Sequence, residues 1–379
     1  MKGLKSLLAI CCTLLPLFTT QARAENEVDS TARSAVIIER KTGQVLLEHN
    51  ANVPLPMAST TKVMTALMAL EYGKLEEMAT VGRNAYGVPG TSIYLNLGET
   101  ISLHDLLCGL LLASGNDAAV AIAEHIGGDV PTFCRMMTQR AQELGCRDTV
   151  FANPHGLPAS DHHTTAEDLA LIAREAMKHE VFRQIVSTQR ASIPWEGRTY
   201  PRILNNKNRL LSSYEGATGI KTGYTRAAGR CLVFGAKRGN MEVIGVVLNC
   251  SNWFEEAARL MDLAYERYEG FTALSSGEMI RVLPVVDGKQ ETVRICAGAE
   301  LYAVVPKGSV PVWILELPDQ IQAGTQEGEC VGQAMLQLDG RTLATIPLVA
   351  AQSLARRDYA FELDRLIQHW PVLGEPMAQ

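Results

Sequence analysis

The chain of 379 residues carries a formal net charge of −6, with 47% hydrophobic and 20% charged residues. That length allows a full core and two domains. The ordinary charge content excludes a low-complexity or disordered chain, and the acidic balance argues against nucleic acid as a partner.

Residues 1–24 read as a secretory signal peptide, with Lys2 and Lys5 as the positive start, residues 7–18 as the apolar run and Ala22-Arg23-Ala24 as an A-x-A cleavage site. The run is too short to span a membrane. Without this segment the chain loses Lys2, Lys5 and Arg23 and no acid, so the net charge moves from −6 to −9. Cys108, Cys134, Cys146, Cys231, Cys250, Cys296 and Cys330 remain, scattered, odd in number and without a C-x-x-C pair. They indicate neither a zinc site nor a disulfide framework and read as core thiols. No ligand cluster for a metal stands out.

Residues 34–39 and 44–48 are short apolar runs around Arg40-Lys41-Thr42-Gly43, the pattern of a β-hairpin. After Thr60 an apolar stripe at Val63, Leu67 and Leu70 predicts a helix, with Ser59 at its start as a capping residue. Ser59 and Lys62 are three apart and share a helix face. A hydroxyl beside an amine can serve as nucleophile and base once the lysine loses its proton, from a reference pKa of about 10.4, through burial or a second nearby cation. Ser-x-x-Lys alone equally describes a capped helix with a solvated lysine.

Residues 103–112 predict a buried helix running into Ala113-Ser114-Gly115-Asn116-Asp117, followed by helices over 118–126 and 130–144. Residues 151–158 are turn-rich, and Thr164-Thr165-Ala166-Glu167-Asp168 is a capping signature for a helix to about Lys178. Residues 216–224 lead into a strand through Gly219-Ile220-Lys221-Thr222-Gly223. Residues 230–236 and 242–249 flank Gly239-Asn240, a hairpin signal. An amphipathic helix follows over 253–268. From about Thr272 to Gln352, short β-prone runs alternate with Gly, Pro and Asp turns, the texture of a separate small β-domain. In the tail, Tyr359, Leu363, Leu366, Ile367 and Trp370 fall on one helical stripe.

Three short motifs occur in order: Ser59-Thr60-Thr61-Lys62, Ser114-Gly115-Asn116 and Lys221-Thr222-Gly223. A second Lys-Thr-Gly at Lys41 to Gly43 precedes the first motif, fills the predicted hairpin turn and is given no role. Each motif alone is weak. The ordered set, each member at an element boundary behind a signal peptide, is specific. With Ala58 to Ala66, Leu112 to Ala119, Asn153-Pro154-His155-Gly156-Leu157 and Gly219 to Thr225, the chain resembles the D-alanyl-D-alanine carboxypeptidases, the low-molecular-mass penicillin-binding proteins, over residues 30–270.

The resemblance implies an α/β (α+β) catalytic domain of the β-lactamase/transpeptidase-like kind. An antiparallel sheet, with Lys221 to Gly223 on an edge strand, faces a helical lobe, and a small C-terminal all-β domain follows. The expected division is 1–24 signal peptide, 25–270 catalytic domain, 271–352 β-domain and 353–379 amphipathic tail. The same resemblance implies the roles. Ser59 attacks the carbonyl of the penultimate D-alanine of a peptidoglycan pentapeptide stem, and Lys62 accepts its proton. Ser114 passes a proton to the leaving D-alanine and assists the water step. Asn116 holds the substrate's peptide carbonyl. Lys221 keeps Lys62 neutral and adds positive potential. Thr222, Gly223, Tyr224 and Thr225 line the binding strand, with the amides of Ser59 and Tyr224 as the oxyanion hole. Lys207 stands where relatives carry a basic residue, often arginine, for the terminal carboxylate. As a point charge it lacks the bidentate geometry of arginine, and a solvated surface lysine is the other reading. His155 reads as a loop-packing residue. β-Lactams are expected as covalent inhibitors, and no cofactor is implied.

Two alternatives stay open at this stage. A serine β-lactamase would need a deacylating glutamate, for which Glu167 is the candidate. A non-catalytic wall-binding or β-lactam-sensing protein would keep the scaffold without turnover. The tail is expected to lie on the outer face of the cytoplasmic membrane, with Tyr359 and Trp370 at the interface, or else to pack on the protein itself. The exported location and the tail together place the enzyme beside the wall.

Overall fold

The structure, a computed structural model, describes residues 26–368, so the predicted signal segment and Trp370 lie outside the described residues. The chain forms two compact units, one ending at Arg267 and the other starting at Tyr268.

The first unit is built on a five-stranded antiparallel sheet. Its order across the sheet is Val45–His49, Ser34–Glu39, Met241–Leu248, Gly229–Arg238 and Ala217–Thr225. Strands from the two ends of the unit thus meet in the middle of one sheet, joining the two predicted hairpins through Ser34–Glu39 and Met241–Leu248. Every residue of Ser34–Glu39 and Met241–Leu248 is buried, so both faces of the sheet are covered. One face, with Val36, Ile38, Ile244, Val246 and Leu248, joins the core of the helical lobe. Helices Ala166–Ala176 and Trp253–Arg267 both pack on the sheet. Strands buried on both faces lose the period-two alternation and read as continuous apolar runs.

The lobe is organised around Lys62–Tyr72. Its first eight residues, Lys62 to Ala69, are all buried. Helices Leu103–Leu111, Asn116–Gly127, Val130–Glu143 and Ala166–Ala176 pack on it. Burying side chains such as Val63, Met64 and Leu67 contributes about 1.5–3 kcal/mol each. Ser102, Asp129 and Thr165 cap three of these helices through their side chains, Thr165 by accepting from Asp168 N at 3.0 Å. The capping signature at Thr164 to Asp168 is therefore realised at Thr165. Glu180–Ser187 and the hairpin Arg190–Ile193 with Arg202–Asn205 complete the unit.

One local expectation is corrected. Ser59 does not cap the helix with its side chain. It lies inside a 3-10 turn, Ala58–Thr61, and the α-helix begins at Lys62 after Thr61. The tighter turn puts Ser59 and Lys62 on one side all the same.

The second unit is all-β up to its terminal helix. Tyr268–Leu274 pairs with Leu301–Pro306. A six-stranded sheet runs in the order Val312–Glu316, Cys330–Leu338, Arg341–Ala350, Thr292–Ala297, Met279–Val286 and Ile321–Gln322. Leu283, Val293, Ile295, Leu301, Leu336 and Leu348 form its core. Leu354 is buried in that core, and Arg356 bridges to Gly288, so the chain leaves the β-fold only at Asp358. Asp358 then caps Tyr359–Gln368 by accepting from Phe361 N at 2.9 Å. Tyr359, Leu363, Leu366 and Ile367 are exposed on this helix, and none of its residues is buried. Among the described residues, no helix is long and apolar enough to cross a membrane.

Candidate active site

Lys62 is fully buried at the start of its helix. Its pKa lies well below the ordinary value, first because burial disfavours the charged form, then because Lys221 and Lys207 repel it, with Asp117 opposing. A neutral amine has two N–H bonds and one lone pair. Two carbonyl oxygens, Asn116 Oδ1 and His155 O, each lie 2.7 Å from Nζ and can only accept. They take both protons. As an ammonium, Nζ would donate its third N–H to Ser59 Oγ at 3.0 Å; in the neutral form that the depressed pKa favours, its lone pair faces that oxygen and can accept the Ser59 hydroxyl proton. That is the arrangement of a nucleophile facing its base.

The orientation of Asn116 is fixed by chemistry. Its Nδ2 donates to Pro89 O at 2.6 Å, and that carbonyl cannot donate, so Oδ1 must face Lys62. Asp117, next in the chain, pins the neighbouring loop by accepting from the Ser92 hydroxyl at 2.6 Å and from the amides of Ile93 and Leu95 at 3.1 Å. Ser114 is buried at the left-handed turn between Leu103–Leu111 and Asn116–Gly127, with φ at +64°.

Lys221 sits on the edge strand Ala217–Thr225, buried, with Nζ donating to Thr222 O at 2.9 Å. Burial, with help from Lys207, pushes its pKa down to about 7. Gly223 brings this strand against the nucleophile: a Cβ there would lie 2.8 Å from Ser59 N and 2.9 Å from Thr60 N. Gly156 closes the other side with φ at +92°, where a Cβ would lie 1.8 Å from Ala58 O. Both glycines are needed because backbone meets backbone there. Thr222 is buried, Thr225 half-buried and Tyr224 64% exposed, so the Tyr224 ring faces solvent while its amide stays in the strand. Lys207 is exposed, 3.5 Å from Thr91 Oγ1, and near enough to depress both buried lysines. The structure therefore brings Ser59, Lys62, Asn116, Lys221 and Gly223 together through direct contacts or charge. Ser114 is buried and Thr225 half-buried at their motif positions.

His155 meets Lys62 through its carbonyl, and its imidazole accepts from Leu157 N at 3.2 Å, within its own loop. Glu167 lies in the first turn of Ala166–Ala176, at a helix start and not in an omega loop. Lys41 and Gly43 stay in their hairpin turn, where Arg174 donates to the carbonyls of Arg40 and Lys41. Among the described residues no group of acidic, His or Cys side chains could hold a metal ion, and all seven cysteines are free thiols. The sequence reading missed His162, buried behind the nucleophile, where its Nε2 lies 2.7 Å from Thr61 Oγ1. Its only sequence signal is a polar residue seven positions past His155.

His155 and His162 are each held at about 4, mainly by burial; Lys62 and His162 add to this for His155, and His163 and Lys62 for His162. Unfolded, each titrates near the ordinary value of about 6.5. Between those values the unfolded chain binds more protons, so stability rises with pH across the window and is lost as pH falls through it. For His162 alone the loss reaches roughly 3 kcal/mol at pH 4. Denaturant midpoints at pH 7 and pH 4.5 should show the drop, and His162→Gln should make it shallower. Identical slopes for the two proteins would contradict this.

Comparison with known proteins gives a consistent picture. The D-alanyl-D-alanine carboxypeptidase family model matches residues 19–252, and the penicillin-binding protein 5 C-terminal domain matches residues 268–356. The chain is 34% identical to D-alanyl-D-alanine carboxypeptidase DacF of Bacillus subtilis, over 98% of this chain and 99% of that protein. It is 31% identical to D-alanyl-D-alanine carboxypeptidase DacC of Escherichia coli, over 93% and 92%. Among solved structures, penicillin-binding protein 5 from Haemophilus influenzae superposes with a TM-score of 0.70 at 29% identity, covering 87% of this chain and 99% of that one. The fold expected from the sequence, a sheet-and-helix catalytic domain with a C-terminal β-domain, is the fold observed.

Proposed function

Because the chain belongs to the D-alanyl-D-alanine carboxypeptidase family, we infer a serine peptidase of the penicillin-binding type that removes the terminal D-alanine from peptidoglycan pentapeptide stems. The observation that carries the assignment of residues is the buried Lys62, its pKa depressed, with Nζ 3.0 Å from Ser59 Oγ and 2.7 Å from both Asn116 Oδ1 and His155 O. Ser59 attacks the carbonyl of the penultimate D-alanine as Lys62 takes the hydroxyl proton. The oxyanion forms against the amides of Ser59 and Tyr224. Collapse expels D-alanine, protonated through Ser114, and leaves the stem as an ester on Ser59. Water, deprotonated by the same base, then releases the tetrapeptide. Lys221, Thr222 and Thr225 on the edge strand, with Lys207 from the loop after Arg202–Asn205, present positive charge and hydroxyls to the terminal carboxylate, and Gly223 lets the edge strand lie against the nucleophile. Asn116 serves the peptide carbonyl of the stem by exchanging its Pro89 contact for the substrate. β-Lactams acylate the same serine. Peptide mapping after incubation with a labelled penicillin tests the assignment: the label should lie on Ser59, and a label elsewhere would refute it.

The enzyme acts outside the cytoplasmic membrane, and its tail helix rests on the membrane surface. The exposed stripe of Tyr359, Leu363, Leu366 and Ile367 supports this, since nothing in the β-unit covers it. The polar side mixes Arg357 and Arg365 with Asp358, Glu362 and Asp364, in part as ion pairs, so binding rests on apolar area and not on charge. A truncation after Asp358 spares Leu354 and Arg356 in the β-fold. Full-length protein should co-sediment with phosphatidylcholine vesicles, largely independent of salt, and the truncated form should stay in the buffer. Equal partition of the two would show that the helix is no anchor.

A further inference from the structure

We propose that His162 is a positioning residue for the oxyanion-stabilising amide of Ser59, acting through the hydroxyl of Thr61. This rests on the reading of Ser59 as nucleophile given above.

The imidazole is 5% exposed and held at both nitrogens. Ala152 N can only donate, and it points at Nδ1 from 3.1 Å. Nδ1 is therefore the acceptor, and in the neutral ring Nε2 carries the proton. Nε2 lies 2.7 Å from Thr61 Oγ1, so the ring donates to that oxygen. The hydroxyl proton of Thr61 is left to point away from the ring, to Ala58 O at 2.8 Å. A chain of donors thus runs one way, from the Ala152 amide through His162 and Thr61 to the Ala58 carbonyl. A protonated ring would carry a hydrogen on Nδ1 as well and meet the Ala152 amide head-on. Burial, which holds His162 at about 4, keeps it in the neutral form that the chain requires.

The end of the chain matters because of what shares its peptide plane. The Ala58 carbonyl and the Ser59 N–H belong to one planar unit, so fixing the direction of the oxygen fixes the direction of the N–H on the opposite side. That unit needs fixing. Ala58 has φ at +49°, a left-handed conformation that costs a non-glycine residue free energy and persists only when its surroundings enforce it. Gly156 packs directly on the same carbonyl, as the 1.8 Å approach of a hypothetical Cβ shows, and the Thr61 hydroxyl supplies the only side-chain hydrogen bond described to it. A hydrogen bond to the carbonyl also polarises the peptide and makes its N–H a stronger donor. The helix would fold around a valine at position 61, but the oxyanion amide would then be free to tilt.

Isosteric and conservative substitutions separate this role from packing. Turnover of a pentapeptide stem and acylation by a labelled penicillin are measured per active site titrated, so that loss of folded protein does not enter. Thr61→Val, which keeps shape and removes the hydroxyl, should lower kcat and the acylation rate by about tenfold to a hundredfold with KM unchanged, the range expected for a weakened oxyanion donor. Thr61→Ser should stay within about threefold of the unaltered enzyme. His162→Ala should lose about tenfold, and His162→Gln, which restores a neutral donor towards Thr61, should recover most of it. Unchanged kcat in both Thr61→Val and His162→Ala would overturn the proposal, as would a Thr61→Ser enzyme as slow as Thr61→Val. Absence of penicillin label on Ser59 in the unaltered enzyme would instead overturn the reading on which the proposal rests.

Discussion

Ser59→Ala should abolish D-alanine release and penicillin labelling together. Among the described residues, Ser59 Oγ is the one hydroxyl hydrogen-bonded to Lys62 Nζ, whose other hydrogen bonds go to Asn116 Oδ1 and His155 O. Loss of the nucleophile in a serine peptidase costs roughly a millionfold in kcat, which here means a signal below detection. The fold should survive. Ser59 lies in a short 3-10 turn, and alanine fits a turn whose shape is set by Gly156, Gly223 and the Thr61 hydroxyl. Thermal unfolding within about 1 kcal/mol of the unaltered protein is therefore expected beside the lost activity. Residual labelling at the normal rate would mean that another residue is the nucleophile.

Lys62→Arg is the sharper test of the base and should be nearly as damaging. Arginine keeps the positive charge that lysine could offer and cannot give up its proton. If Lys62 served only as a cation, the substitution would be mild. Lys62 accepts the Ser59 proton only from its neutral form, which burial and Lys221 favour, and a group that stays protonated has nothing with which to accept it. A fall in kcat of at least about ten-thousandfold is expected, since nucleophile and base act as one unit. Lys62→Ala should match it and should also destabilise the protein, leaving Asn116 Oδ1 and His155 O facing a buried void. In the unaltered enzyme, turnover should fall on acidification as Lys62 takes up a proton, and Lys221→Ala, by removing the repelling charge, should move that fall to higher pH. Turnover by Lys62→Arg at a rate near normal would remove Lys62 from the role of base.

Much of this site was legible in the sequence because short motifs carry it. Ser59 and Lys62 are three residues apart, and a helical or 3-10 turn aligns them either way, so mistaking the turn for a capped helix did not misplace them. Lys221 to Gly223 read as strand entry, the resemblance implied an edge strand, and the segment lies on the edge strand Ala217–Thr225. The buried helices announced themselves by strongly apolar stretches such as Leu106 to Leu112. What stayed hidden was main-chain chemistry. His155 contributes a carbonyl to Lys62 from 93 positions away, and a carbonyl is the same in every residue. His162 was invisible for a related reason, since its value lies in being buried and neutral, and burial is a property of the fold. Tyr268–Leu274 was missed because it follows Trp253–Arg267 without a turn residue between them. The tail helix begins at Tyr359, the first residue of the stripe, because Leu354 and Arg356 before it are bound into the β-unit.

The most direct test of the whole account is mass spectrometry of purified pentapeptide muropeptides before and after incubation with the enzyme lacking residues 1–24. The account predicts conversion of pentapeptide stems to tetrapeptides, with one free D-alanine for each stem, by the unaltered enzyme and none by Ser59→Ala. Pentapeptides left intact by a protein that penicillin still acylates at Ser59 would contradict it.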